Sequence, residues 1–554
     1  MRGRDRRQIP HRRRRPAAGH PVPLSGDHSP VTVCLRGAYE RVGRATMIAM
    51  WRVGRGSVLA ALALVVAGAV APPASATPEG DATQRYGQPP VWGTCQQWGD
   101  ASRIPTAQCG TVPVPVNYDQ PDGAQAQLAV IRVPATGDRI GALMVNPGGP
   151  GASAVDTVRG MGAALAETEI GRRFDLVGFD PRGVGHSTPQ LRCRTDAEFD
   201  AYRREPMVDY SPAGVAQIEG IHQRFAQQCV DRMGVEFLAN VGTAAAARDM
   251  DVVRAALGEN QLNYLGFSYG TELGAAYAER YPDRVRAMVL DGAVDPSLGP
   301  IDESVAQQAG FQRAFDAYAA DCAKSAGCPL GTDPAQFVAR YHQLVDPLVA
   351  RPAATSDPRG LSYQDAITGT GNALYTPRLW AYLTSGLLGL QRGTDPGDLL
   401  TLADEYQRRD ASGHYANRQD AFTAIRCVDA PYPTDPAAWV QADRRFREAA
   451  PFLSYGPFTG YAPRDVCGLW PVPATSAPRP ATSPGPGKVV VVSTTGDPAT
   501  PYEAGVALAR QMGASLITFE GKQHTVVFNG DACVDTAVVR FLVDGVVPPN
   551  GLRC

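Results

Sequence analysis

A five-residue segment centred on Ser268 has the pattern of a serine nucleophile. Gly266-Phe267-Ser268-Tyr269-Gly270 fits G-x-S-x-G, in which the serine occupies a strained turn between a strand and a helix. The residues two positions away must be small because the chain passes close to itself at that turn. An apolar run, Leu262–Leu265, precedes the segment, and a helix-like stretch, Thr271–Arg280, follows it. This context favours a nucleophile over the alternative, a glycine-rich structural turn.

A serine hydroxyl needs a base before it can attack, and His524 is the predicted base. Where a serine follows a strand in this way, the acid and then the histidine come later in the chain. His524 stands five residues after the last predicted strand. The other histidines beyond the predicted leader either precede Ser268 or fall in a helical block: His186, His222, His342 and His414. The alternative for His524 is a buried structural histidine.

Asp497 is the predicted carboxylate that orients the histidine. It lies in Thr495–Pro501, directly after the predicted strand Lys488–Val492. Such a carboxylate holds the imidazole and stabilises its charged form. Glu503 falls on the next helix and Glu520 adjoins the histidine loop, so both are weaker candidates. The alternative is that Asp497 caps the following helix, and Thr500 could hydrogen-bond within the loop.

An early glycine-rich loop, Asn146–Ala152, is the predicted source of an oxyanion hole. The developing oxyanion needs two fixed N–H donors. We expect one from the Tyr269 amide, directly after the nucleophile, and one from Gly149, with Gly148 as second choice. A phosphate-binding loop is the alternative, but neither its lysine nor a G-x-G-x-x-G pattern is present in this segment.

The elements around these residues alternate between short apolar runs and amphipathic stretches. This order predicts a mostly parallel sheet with helices on both faces. After residue 296 the pattern becomes helical, a Pro-rich linker covers Pro471–Gly487, and strands return at residue 488. We predict a core over 77–296 and 488–554, and an inserted helical cap with its linker over 297–487.

The first 76 residues are predicted to be a leader and signal peptide that is removed. Arg52 and Arg55 precede an apolar run, Val58–Val70, and Ala74-Ser75-Ala76 offers a cleavage site. The run is too short to span a bilayer, although an uncleaved anchor is the alternative. Of the 53 basic and 55 acidic residues, the leader holds 13 and 3, so 40 basic and 52 acidic residues remain. An acidic body argues against nucleic acid as a partner.

The cysteines agree with export from the cell. Beyond the leader, which contains Cys34, ten cysteines remain: Cys95, Cys109, Cys193, Cys229, Cys322, Cys328, Cys427, Cys467, Cys533 and Cys554. An even number in an exported chain indicates disulfides, and pairing in sequence order is the simplest of several possibilities. The absence of any C-x-x-C pair argues against a metal site, and we predict neither a metal nor a cofactor.

Six segments, taken in order, resemble the secreted tripeptidyl aminopeptidases of the proline iminopeptidase-related family: Asn146–Gly151, Asp180–Ser187, Gly266–Thr271, Leu290–Gly292, Asp497–Pro501 and the closing Cys533 with Cys554. The resemblance covers residues 90–296 and 488–554 well and the cap less specifically. It implies an α/β-hydrolase fold with a helical cap and cleavage of peptides at a free N-terminus. It also implies Ser268, Asp497 and His524 as nucleophile, acid and base.

Three functions are compatible with these residues. The first is a secreted, extracellular or cell-wall associated, serine exopeptidase, whose cap would bind the substrate ammonium through a carboxylate; Asp429 and Glu272 are candidates, although both could be ordinary surface acids. The second is a carboxylesterase or lipase with the same triad, and the third is an inactive binding protein. We expect a peptide substrate and no stable membrane association; the sequence leaves the oligomeric state open.

Overall fold

The computed structural model describes residues 80–99 and 102–554, so the predicted leader and signal peptide lie outside the described residues. One sheet of nine strands runs through this part of the chain. The strands are β1 (Gln108–Pro115), β2 (Gln125–Val133), β3 (Gly141–Asn146), β4 (Phe174–Phe179), β5 (Leu262–Phe267), β6 (Val285–Asp291), β7 (Val489–Thr494), β8 (Ser515–Phe519) and β9 (Leu552–Arg553).

Seventeen α-helices accompany the strands in the described residues. They are α1 (Gly80–Tyr86), α2 (Ala154–Leu165), α3 (Glu169–Arg173), α4 (Asp196–Arg204), α5 (Pro212–Met233), α6 (Val235–Ala239), α7 (Thr243–Ala256), α8 (Tyr269–Arg280), α9 (Pro300–Cys322), α10 (Phe337–Val345), α11 (Tyr363–Leu374), α12 (Trp380–Arg392), α13 (Gly397–Gln407), α14 (Arg418–Asp429), α15 (Pro436–Ala449), α16 (Tyr502–Met512) and α17 (Ala532–Asp544). None of these helices is long and apolar enough to cross a membrane.

The sheet is mostly parallel, as predicted. Its order is β1-β2-β4-β3-β5-β6-β7-β8-β9; β1 and β2 are antiparallel to each other, β2 is antiparallel to β4, and the remaining pairs are parallel. Because successive side chains of a strand point to opposite faces, a strand covered on both sides is apolar throughout. In β7, Val489 and Val491 belong to one buried cluster and Val490 and Val492 to another. Both faces are therefore covered by helices.

The parallel arrangement places the candidate site residues together at one edge of the sheet, where the strands have their carboxyl ends. β5, β6 and β7 are neighbours, so the residues that follow their carboxyl ends meet there. Ser268 follows β5, Asp291 ends β6, and Asp497 comes three residues after β7. Residues far apart in sequence are thus brought to one place by strand order alone.

The chain between β6 and β7 forms seven helices, α9 to α15, with an apolar core of their own. In this cap, Phe315 stacks on Phe452, with ring centres 4.5 Å apart, and meets Tyr341 edge to face. The cap also contacts α4, because Arg203 pairs with Asp365 at 2.7 Å. The segment between β4 and α7 therefore packs on the cap as well as on the sheet.

The predicted Pro-rich linker runs along the protein without forming a helix or strand. The Thr475 amide donates to the Val428 carbonyl at 2.6 Å, and the Arg479 amide donates to the Pro296 carbonyl at 2.9 Å. The Arg479 guanidinium also forms an ion pair with Glu279. These contacts connect the end of α14 and the end of the first core segment to a single strap, residues 475–479.

Five disulfides join the ten cysteines in sequence order, which confirms the predicted disulfides. The pairs are Cys95–Cys109, Cys193–Cys229, Cys322–Cys328, Cys427–Cys467 and Cys533–Cys554. Each pair closes a loop of between 6 and 40 residues, so the bridges act locally. Cys427–Cys467 bears on the site, because Cys427 lies on α14 two residues before Asp429.

Candidate active site

Ser268 occupies a strained backbone position between β5 and α8. Its φ of 54° and ψ of −127° place it in a region that side chains other than glycine rarely adopt. A Cβ on Gly266 would lie 2.4 Å from the Gly270 carbonyl oxygen, so the flanking glycines are required by the tight turn. The Ser268 amide donates to the Asp291 carbonyl at 2.9 Å, which ties the turn to β6.

Asp497 holds His524 through one imidazole nitrogen. His524 Nδ1 lies 3.0 and 2.9 Å from the two carboxylate oxygens of Asp497. The carboxylate itself is fixed, because the amides of Ala499 and Thr500 donate to its Oδ1 at 2.9 Å each. The Thr500 hydroxyl donates to Oδ2 at 3.1 Å. Asp497 therefore orients the imidazole and also caps the loop that follows it.

The two atoms that would exchange a proton are buried and have no protein hydrogen-bond partner. They are the Ser268 hydroxyl oxygen and His524 Nε2, on side chains of residues that are 1% and 9% exposed. An unengaged hydroxyl and an unengaged imidazole nitrogen, both buried at the same end of the sheet, indicate a reactive site. Hydrogen bonds between catalytic groups are often incomplete before substrate binds.

The glycine-rich loop lies directly against the serine turn. A Cβ on Gly148 would lie 2.9 Å from the Ser268 Cβ and 3.0 Å from the Tyr269 amide nitrogen. The Gly148 amide is already engaged, since it donates to Asn146 Oδ1 at 2.9 Å. Within the described chain, the amides of Gly149 and Tyr269 donate to no protein acceptor. These two amides, and not that of Gly148, are available to an oxyanion.

A cavity of about 400 Å³ is lined by Ser268, five acidic residues and three arginines. Gly149, Tyr269 and Thr500 line it as well. Of the five acids, Glu279 pairs with Arg479 and Asp295 accepts from Ser297 and Gln511; the remaining three are Glu272, Glu303 and Asp429. Glu272 is in the first turn of α8, Glu303 in the first turn of α9, and Asp429 at the end of α14. The core and the cap thus both contribute acids to one cavity.

The three acids, which we call the carboxyl cluster, are difficult to ionise together. Burial raises the pKa of Asp429 to about 6 and that of Glu303 to about 7, although the Glu303 side chain is open to the cavity. Burial, with the negative charges of Asp429 and Glu303, raises the pKa of Glu272 well above its usual range. Like charges in a desolvated site favour protonation. A bound cation would relieve this cost.

Asp429 is held by contacts that also reach the nucleophile turn. The Thr243 amide and hydroxyl donate to its two oxygens at 2.6 and 2.7 Å. The same hydroxyl lies 2.5 Å from the Tyr269 phenol oxygen. Because Tyr269 directly follows Ser268, hydrogen bonds through Thr243 connect Asp429 of the carboxyl cluster to the serine turn.

The structure includes two site residues that sequence reasoning missed. Glu303 carries no sequence signal, since an acid in the first turn of a helix is ordinary. Asp291 lies in Leu290–Gly292, one of the segments that carry the resemblance, but the sequence assigned it no role; it ends β6, the strand next to β5. The other histidines lie elsewhere: His186, His342 and His414 pair with aspartates on surface helices, and His222 meets the Arg464 carbonyl.

One cluster in the described residues has the spacing of metal ligands, namely Asp531, Cys533 and Cys554. Its two cysteines are joined as a disulfide, so their thiolates are not free to bind a metal.

Comparison with known proteins places this geometry among hydrolases. The alpha/beta hydrolase fold family matches residues 141–531. The chain is 67% identical over 518 residues to a protein of Mycobacterium tuberculosis named Carboxylesterase B, covering 92% of this chain and 100% of that one. It is 53% identical over 519 residues to Serine protease Hip1 of the same species, covering 92% and 98%. It is 33% identical over 463 residues to Tripeptidyl aminopeptidase of Streptomyces lividans, covering 81% and 83%.

Proposed function

Because this chain belongs to the α/β-hydrolase family and is a serine hydrolase, we propose that it is a secreted exopeptidase that cleaves peptides from a free N-terminus. The observation that carries this proposal is the carboxyl cluster in the same cavity as Ser268. A peptide substrate of an exopeptidase brings an ammonium group close to the scissile bond. Three acids that line the same cavity offer that cation charge-assisted hydrogen bonds.

The proposed reaction proceeds through an acyl-enzyme on Ser268. His524 Nε2 takes the hydroxyl proton as the Ser268 oxygen attacks the scissile carbonyl, and Asp497 stabilises the resulting imidazolium. The amides of Gly149 and Tyr269 donate to the oxyanion of the tetrahedral intermediate. His524 then gives its proton to the leaving amine. Water, activated by the same histidine, hydrolyses the acyl-enzyme and restores the Ser268 hydroxyl.

The pKa values of the cluster fit a site prepared for a cation. An isolated acid on a wet surface would show no such perturbation, and perturbed groups concentrate at functional sites. Asp429 and Glu303, with pKa values near 6 and 7, are mostly or partly ionised near neutral pH, when a peptide α-amino group is still protonated. Binding the ammonium would favour the ionised state of all three acids.

N-terminal acetylation tests the proposed substrate class. The specificity constants of one peptide anilide are compared in free and N-acetylated form, at one pH near 7.5. Acetylation removes the charge and its donors, so we expect a loss of about ten- to hundred-fold, equivalent to about 1–3 kcal/mol. Asp429→Asn should reduce the difference in specificity constant between the free and the N-acetylated substrate. Equal constants for both forms in the wild-type enzyme would contradict exopeptidase action.

A carboxylesterase is the second candidate, favoured by the name of the relative that is 67% identical. An esterase pocket has no reason to prefer an amine, and the same triad hydrolyses esters. A panel of aminoacyl and tripeptidyl anilides with acyl esters separates the two activities. An enzyme that hydrolyses uncharged acyl esters faster than any free-amine anilide is an esterase. The third hypothesis, an inactive binding protein, is disfavoured by the complete set of Ser268, Asp497 and His524.

Export is part of the proposal, supported by the five disulfides, which form and persist in oxidising compartments. If the signal peptide is cleaved after Ala76, N-terminal sequencing of the protein from culture medium or cell wall should begin at Thr77. A cell-associated protein that retains the Val58–Val70 run would instead indicate an anchor.

A further inference from the structure

Asp291 is a buried acid at the carboxyl end of β6, between the strand that precedes Ser268 and the strand that precedes Asp497. It is completely inaccessible to solvent and makes no ion pair in the described structure. Burying a carboxyl group without a charged partner costs free energy unless hydrogen bonds compensate. The carboxyl group of Asp291 accepts such hydrogen bonds from the backbone of the loop that carries His524.

The carboxyl group of Asp291 holds the loop that carries His524. One oxygen, Oδ2, accepts the amides of Val526 and Val527 at 2.7 and 2.8 Å. Val526 and Val527 are the second and third residues after His524. Thr525, which lies between His524 and Val526, has a φ of 61°. On the opposite side, the His524 amide donates to the Tyr375 carbonyl of the cap at 2.9 Å. The loop is therefore held from below by Asp291 and from above by the cap.

The backbone of the same residue holds the nucleophile turn. The Asp291 carbonyl accepts the Ser268 amide at 2.9 Å. The next residue, Gly292, lies beside the imidazole: a Cβ there would lie 3.1 Å from His524 Cε1 and 3.1 Å from Thr500 Oγ1. Gly292 also has a φ of 66°, which favours glycine.

We propose that Asp291 and Gly292 are positioning residues that set the place of the His524 imidazole relative to the Ser268 hydroxyl. The side chain fixes the histidine loop, the carbonyl fixes the serine turn, and the missing side chain of Gly292 leaves space for the ring. One dipeptide thus joins the base to the nucleophile without touching the substrate. This inference rests on the proposed roles of Ser268 and His524 but not on the substrate class.

The second oxygen of Asp291 makes the conservative substitution informative. Oδ1 is buried without a partner, and burial raises the pKa of Asp291 to about 7. Only Oδ2 is used, and an amide oxygen accepts two N–H groups as a carboxylate oxygen does. Asp291→Asn should therefore keep the loop in place, whereas Asp291→Ala removes the acceptor.

The test compares Asp291→Ala, Asp291→Asn and Gly292→Ala with wild type by three measurements. These are kcat and KM on the best chromogenic substrate, the rate at which a fluorophosphonate labels Ser268, and the melting temperature. We expect Asp291→Ala and Gly292→Ala to lower kcat and the labelling rate by about a hundredfold with KM within about twofold, because a small misplacement of catalytic groups costs rate. Asp291→Asn should recover most of both rates.

Asp175→Ala is the matched control. Asp175 is also a buried aspartate that accepts a backbone amide, from Ala135 at 2.9 Å, but unlike Asp291 it pairs with Arg139 at 2.9 Å, and it lies near the amino end of β4, at the opposite edge of the sheet. It should lower the melting temperature and leave kcat unchanged in the folded fraction. If the Asp291→Ala protein does not fold, Gly292→Ala and Asp291→Asn still test the proposal.

Different results point to different errors. Wild-type labelling and kcat in folded Asp291→Ala, or in Gly292→Ala, would overturn the positioning role. A kcat loss in Asp291→Ala that Asp175→Ala reproduces would also overturn it, since the effect would then follow from stability alone. Failure of the probe to label Ser268 in the wild-type enzyme would refute the nucleophile, and not the role of Asp291.

Discussion

The carboxyl cluster predicts how the preference for a free N-terminus changes with pH. A cation binds to the ionised acids, and burial raises the pKa of Asp429 to about 6 and of Glu303 to about 7. The binding contribution is therefore present above these values and is lost as the pH falls through them. The substrate α-amino group, with a pKa of about 8, stays protonated over this interval.

The size of the effect follows from the ionised fractions. An acid with a pKa near 6 is about 97% ionised at pH 7.5 and about 9% ionised at pH 5, a tenfold change. If the ammonium depends on Asp429 alone, the ratio of specificity constants, free amine over N-acetyl, should fall about tenfold between these pH values. If it also depends on the Glu303 charge, the ratio should fall more steeply and approach 1 at pH 5.

The assay measures this ratio at pH 5, 6, 7 and 7.5. A pH effect on the catalytic steps that both substrates share cancels in the ratio. Asp429→Asn should lower the ratio at pH 7.5 and flatten its pH dependence. Glu448→Gln, which removes an exposed acid of α15 outside the cavity, serves as the charge-matched control and should leave the curve unchanged. A ratio that is large but constant with pH would refute the reasoning from the cluster.

Three further predictions concern other parts of the site. Ser268→Ala should lower kcat about a million-fold and abolish fluorophosphonate labelling without lowering the melting temperature; near wild-type turnover would exclude Ser268 as nucleophile. Glu272→Gln should stabilise the fold by about 0.5–2 kcal/mol at pH 8, because the raised pKa of Glu272 means that folding opposes its ionisation. The difference should vanish at about pH 3, where the side chain is protonated in both the folded and the unfolded state. Equal melting temperatures for Glu272→Gln and wild type at pH 8 would contradict this. Replacing Cys427 and Cys467 by serine should cost about 2–4 kcal/mol of stability and weaken the free-amine preference, since that bridge anchors the helix that ends at Asp429. An unchanged preference in that variant would show that α14 needs no such anchor.

The sheet was predictable from sequence where its strands are apolar on both faces. The runs at 262–265 and 488–492 lie in or overlap β5 and β7, because buried parallel strands leave a continuous apolar pattern. β1 and β9 were missed for physical reasons. β1 alternates buried with partly exposed residues and contains prolines, and β9 is two residues long.

The site was predictable only where chemistry dictates residue type. The strained turn requires Gly266 and Gly270, and chain order selects Asp497 and His524, which the structure brings within 3.0 Å of each other. The position of Glu303 in the cavity depends on how the cap folds over the core, and no local sequence pattern predicts that packing. Thr500 was given a minor part, yet its amide and hydroxyl supply two of the three hydrogen bonds that fix the Asp497 carboxylate.

The order of the strands has a consequence for biosynthesis. The proposed nucleophile, Ser268, is synthesised before β6, whereas the proposed acid and base follow β7 and β8. Domains generally fold as units. A nascent polypeptide that ends before residue 488 has its serine but neither Asp497 nor His524. The growing chain therefore cannot carry out the proposed hydrolysis until its last segment has been synthesised and inserted beside β6.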